Sequence, residues 1–211
     1  MINHSAENMT DFNGELSLRA LQNGDRNEFS RLVELYSGKL YRLGLKMLGN
    51  PQDAEDILQE TYLKALRGIK KFDGRSSLST WLYRIAMNES LMHLRRKHPE
   101  MLSIEEPGEG DLEEQEPLQI VDWCCMPEKE LMSNEVRRKL DHAIEELPAN
   151  LKSVFVLRDI EELSTLQAAE VLGLSETAVK TRLSRARMRL RKELSAYFSE
   201  KNIEGSVYDS R

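Results

Sequence analysis

The spacing of the apolar residues limits what this chain can become more than any other feature. Between Asp25 and Gly49, residues Phe29, Leu32, Val33, Tyr36, Leu40, Leu43 and Met47 recur three and four places apart. That period puts them on one face of an α-helix. The helical pattern continues from Pro51, again over roughly residues 76–97, and throughout the second half. No run alternates with the period of two that a half-buried strand needs, so the expected fold class is all-α. Local signals set the boundaries. Asp25 and Glu28 form a capping-box signature before the first long helix. Asn50 is placed to cap the next, with Pro51 in its first turn and Asp53 three places on. The third is expected to end before Pro99.

The helical halves are separated by a stretch of different composition. Residues 100–135 hold 12 acidic and 1 basic residue, against 10 and 15 in residues 12–99 and 9 and 12 in residues 136–198. With prolines at 99, 107, 117 and 127 and no helical period, this stretch reads as a flexible acidic linker. The expected architecture is two small helical domains, 12–99 and 136–198, with flexible ends at 1–11 and 199–211. The chain has no apolar run near the roughly 20 residues of a membrane span and no secretory start, which points to the cytoplasm. Its two cysteines, Cys124 and Cys125, are adjacent. They build no disulfide framework and make a poor zinc site, so they are expected to be free thiols. No metal or cofactor is expected.

The sharpest motif lies in the second half. The stretch "STLQAAEVLGLSETAVKTRLSRARMRL" reads as a short helix over Thr165 to Leu172, a turn at Gly173 and Leu174, and a second helix capped by Ser175. This is a helix-turn-helix. On its second helix Val179, Leu183, Ala186, Leu190 and Leu194 share one face, and seven basic residues with no acid fall between Lys180 and Lys192. A solvated helix usually intersperses acids for i,i+4 pairing. This surface suits a DNA duplex, with Thr177, Lys180, Thr181 and Ser184 toward base edges and Arg182, Arg185 and Arg187 toward phosphates.

The stretch "ELPANLKSVFVLRDIEELSTLQAAEVLGLSETAVKTRLSRARMRLR" closely resembles region 4 of the extracytoplasmic-function sigma factors of the sigma-70 family. Similarly, "NPQDAEDILQETYLKAL" and "FDGRSSLSTWLYRIAMNESLMHLRR" look like region 2 of that family. The resemblance covers about residues 15–198, with Leu166 and Gln167 standing where the family commonly has a tyrosine and an acidic residue. It implies a factor that binds core RNA polymerase, at the clamp helices of the largest subunit and at the flap. It also implies promoter recognition at the minus-35 duplex and the melting minus-10 element, a linker threading toward the RNA exit path, and an anti-sigma partner.

Two features of the first half agree with this physically. On the helix from Pro51, Leu63 is apolar amid Asp56, Gln59 and Glu60, the pattern of an anchor inside a polar rim. The resemblance places the polymerase contact on these four residues. On the helix from Ser76, Arg84, Asn88 and Arg95 form a polar strip beside Trp81, suited to a single strand: stacking for a base and cations for the backbone. The resemblance adds that the loop Asp73, Gly74, Arg75, Ser76 and Ser77 captures a flipped minus-10 base. An enzyme is the weaker reading. Asp53, Glu55 and Asp56 sit at a helix start, where carboxylates favour the dipole, and His93 and His98 read as surface residues. An autonomous helix-turn-helix regulator with a sensor domain in its first half is the other alternative, and it needs neither the Leu63 face nor the Trp81 strip.

Overall fold

A computed structural model describes residues 16–97 and 134–208. The N-terminal tail 1–11, His98, Cys124, Cys125 and all but the last two residues of the linker lie outside these. The described residues are all-α and hold no strand. In chain order the helices are α1 (Leu18–Gln22), α2 (Arg26–Leu48), α3 (Pro51–Gly68), α4 (Leu78–Lys97), α5 (Asn134–Glu145), α6 (Ala149–Phe155), α7 (Thr165–Leu172) and α8 (Glu176–Tyr208). A short 3-10 turn, Ile69–Lys71, follows α3, and a π-type turn, Val156–Ile160, continues α6. The helix α8 runs past residue 198, where the second domain was expected to end.

Most helix starts follow from their caps. Asp25 accepts from the backbone N–H groups of Asn27 and Glu28, and Asn50 from those of Gln52 and Asp53 with Pro51 in the first turn. Each such cap stabilises its helix by about 1 kcal/mol. The reciprocal half of the capping box at Asp25 is absent, because Glu28 is turned inward. Only 8% exposed, its carboxylate accepts from the Ser17 N–H and pairs with Arg31, tying α1 to α2. A complete capping box occurs instead at Ser164 and Gln167.

α2, α3 and α4 form a three-helix bundle. Leu32, Leu40, Leu43 and Met47 of α2 share a cluster with Ala65 of α3 and Leu82, Ala86 and Met87 of α4, all nearly inaccessible. Full burial of each large side chain contributes about 1.5–3 kcal/mol. In the second half, Ala186 and Leu190 of α8 pack with Ile144 and Leu147. Val179, Leu183 and Leu194 are also buried, so the whole apolar stripe of α8 faces inward. The turn between α7 and α8 is closed by Gly173 in the left-handed conformation, φ 66°.

Candidate promoter and polymerase interfaces

The rim residues on α3 point to solvent. Asp56, Gln59, Glu60 and Leu63 are all exposed, with Leu63 at 45%, while Ala54, Ile57, Thr61 and Ala65 hold the opposite face against the bundle. The structure adds Leu66, three places beyond Leu63 and 51% exposed. It also adds Met92, on α4, across a groove of about 390 Å³ shared with Asp56 and Glu60. The i,i+3 spacing of Leu63 and Leu66 was visible in the sequence, whereas the approach of Met92 depends on how α4 packs. Asp53, the first acid of the sequence cluster, accepts two hydrogen bonds from Lys97 Nζ at 2.7 and 2.8 Å. These hold its carboxyl below the usual carboxylate range. It clasps the start of α3 to the end of α4.

The loop before α4 is tightly organised. Gly74 has φ +71°, a left-handed conformation that suits glycine. Asp73 accepts from the Arg75 backbone N–H at 3.3 Å and pairs with the Arg75 guanidinium; these contacts, the backbone bond foremost, lower its pKa. The sequence suggested a start at Ser76, but the helix opens at Leu78. Ser77 Oγ accepts from the Thr80 N–H at 3.0 Å and lies 2.7 Å from Ser79 Oγ. Gln22 of α1 donates to the Phe72 carbonyl at 2.8 Å and so braces the loop from behind. Nothing in the sequence marked Gln22, which is 50 positions away.

The four strip residues do lie along one side of α4, but in different states. Asn88 and Arg95 are exposed. Trp81 is half-buried, its ring tilted against Phe72 at 5.1 Å between centroids and lying over Gly68. Arg84 Nε donates to the Glu170 carbonyl at 3.0 Å. In the helix-turn-helix, Thr177, Lys180, Thr181 and Ser184 are exposed together at the start of α8. Arg182 and Arg185 are half-buried. Arg187 spans to Asp159 through two hydrogen bonds of 2.7 and 2.8 Å, which raise its pKa.

This arrangement matches known proteins at both ends of the chain. The model of sigma-70 region 2 matches residues 32–99 and that of sigma-70 region 4 matches residues 137–190. Across both, the chain is 38% identical to the ECF RNA polymerase sigma factor SigW of Bacillus subtilis (strain 168), covering 84% of this chain and 94% of that one. The chain belongs to the ECF sigma factors. The ECF RNA polymerase sigma-E factor of Haemophilus influenzae is 34% identical over 86% of this chain and 94% of its own. Among solved structures, CnrH in complex with the cytosolic domain of CnrY is similar with a TM-score of 0.61 at 24% identity, covering 85% of this chain and 95% of that one. The sigma factor RpoE in complex with the anti-sigma factor NepR from Bartonella quintana aligns with a TM-score of 0.57 at 23% identity, covering 79% and 96%. These two likenesses carry the fold of this sigma factor. The family is generally non-enzymatic.

Proposed function

We propose that this ECF sigma factor acts in the cytoplasm, without catalysis of its own, through two units: 12–99 for the polymerase and the minus-10 element, and 136–198 for the minus-35 element. α3 meets the polymerase clamp with Leu63 as the apolar anchor and Asp56, Gln59 and Glu60 as its rim. The loop Asp73–Ser77 holds a flipped minus-10 base, and Arg84, Asn88 and Arg95 follow the single strand. Trp81 supports that site by bracing the loop against Phe72. Thr177, Lys180, Thr181 and Ser184 read the minus-35 duplex, with Arg182, Arg185 and Arg187 near its phosphates.

The observation that carries this reading is the exposure of the Leu63 face, since an autonomous regulator has no use for an apolar anchor on its first half. Similar sigma factors are known in complex with anti-sigma factors, and we expect one here. Permanganate footprinting of holoenzyme on promoter DNA tests the division of labour. Trp81→Ala and Asn88→Ala should weaken strand opening while leaving protection of the upstream duplex intact; full opening in both variants would overturn it.

A further inference from the structure

Five residues are too few for a helix to hold itself, since an isolated helix is marginal even at roughly 12–15 residues. α1, Leu18–Gln22, is therefore kept helical by what it touches. Ser17 caps it, with its Oγ accepting from the Ala20 N–H at 3.3 Å, and the Ser17 N–H donates to the inward-turned carboxylate of Glu28 on α2. Leu16 and Leu21 are buried in the cluster that also holds Ile69, Phe72 and Leu78. These contacts seat α1 against the 3-10 turn as well as against α2.

That seat brings Gln22 to one backbone atom. Its Nε2 donates to the Phe72 carbonyl at 2.8 Å, while the Phe72 N–H donates to the Ile69 carbonyl at 3.1 Å. Both main-chain groups of Phe72 are thus bonded, and its ring is buried against Trp81. From Asp73 to Ser77 the chain is exposed or half-buried, shaped by the left-handed Gly74 and the Asp73–Arg75 pair. It is fastened again where Ser77 Oγ accepts from the Thr80 N–H at the start of α4. Gln22 holds one end of the loop and Ser77 the other. A loop that accepts a base has to be ordered in its accepting shape, and order present before binding is not subtracted from the affinity.

We infer that Gln22 is a positioning residue of the base-capturing loop, acting through the Phe72 carbonyl, and that the segment Leu16–Gln22 belongs to the minus-10 site for that reason. This role rests on the proposed capture of a flipped base by Asp73–Ser77, and the two fail differently. Gln22→Met keeps the length of the side chain and removes the donor. Gln22→Glu keeps its shape and turns an ionised carboxylate toward the carbonyl. Wild-type holoenzyme is first used to enrich one sequence from a single-stranded 12-mer pool, and that sequence is remade with an abasic site at each position in turn. The abasic site that costs wild type the most affinity marks the captured base.

Gln22→Met should bind the intact strand roughly fivefold more weakly, the effect of losing one hydrogen bond, and Gln22→Glu at least as weakly. On the strand that lacks the captured base, both should equal wild type. Glu28→Ala, which releases α1 from α2, should give the same pattern with Gln22 itself unchanged. Circular dichroism and retention on core polymerase confirm that each variant is folded. Folded variants that bind the intact strand as tightly as wild type would overturn the role of Gln22. So would an equal loss on the intact strand and on the strand without the captured base, because the bond would then support only the fold. A wild type indifferent to every abasic site would overturn base capture by the loop, and the positioning role with it.

Discussion

Gly68 stands in the last turn of α3 with the six-membered ring of Trp81 beside it: a Cβ there would lie 3.1 Å from the ring, closer than ordinary contact. A larger side chain has to displace the tryptophan that packs against Phe72, just before the loop Asp73–Ser77. Gly68→Val should cost about 1–3 kcal/mol and impair strand opening, with polymerase binding intact; thermal melting and footprinting check the two parts. Tyr83 carries a pH prediction. Burial, then the neighbouring Glu161 carboxylate, pushes its hydroxyl above the ordinary value of 10.0. In the unfolded chain the phenol ionises near that value, whereas in the folded chain it keeps its proton to higher pH. Its contribution is therefore complete below about pH 10 and is lost as pH rises beyond it. Thermal stability should fall as pH rises above about 10, and Tyr83→Phe, which has no proton to lose, should lack that step. The sequence placed Trp81 near the strip but could not show that its ring is occupied, because Phe72 follows the 3-10 turn and Gly68 ends α3, and both meet Trp81 only through the packing of α3 and α4.

At the scale of elements, helix starts and faces were the most legible features, since capping and period depend on neighbours a few places away. Asn50 and Ser175 cap as their positions suggest, and the buried stripe of α8 follows the helical period. Long-range contacts were not legible in this way. Glu28 left its capping role for Ser17, Glu161 found its partners across the chain, and Arg187 reached Asp159. Arg187 therefore steadies the π-type turn as well as carrying positive charge on the face proposed to meet the duplex. Its pair is more than half exposed on the arginine side, so its loss should cost the domain no more than about 1 kcal/mol. On promoters randomised across the minus-35 element, Arg187→Ala in holoenzyme should weaken all sequences alike and lower the salt slope by about one. Lys180→Ala, at the exposed start of α8, should relax preference at one position, at a cost of about 1–3 kcal/mol. An exchange of these two outcomes would show that the helix docks at a different angle.

For the whole molecule, the charge division announced two basic halves and an acidic joint, and both the all-α class and the family resemblance followed from local sequence. That the halves share a buried cluster was hidden, because Leu40 and Met87 look the same whether they meet their own bundle or a second one. The packed chain keeps the Leu63 face of α3 and the start of α8 exposed, while Arg84 is bonded to the Glu170 carbonyl. The proposed function depends on α3 meeting the polymerase. The direct measurement is retention of purified chain on immobilised core RNA polymerase, comparing wild type with Leu63→Arg and Asp56→Arg, each verified as helical by circular dichroism. Wild type should be retained, and both variants should bind at least about 30-fold more weakly, the effect of losing an interface hot spot of about 2 kcal/mol or more. Retention of both folded variants at the wild-type level would contradict the assignment of this face.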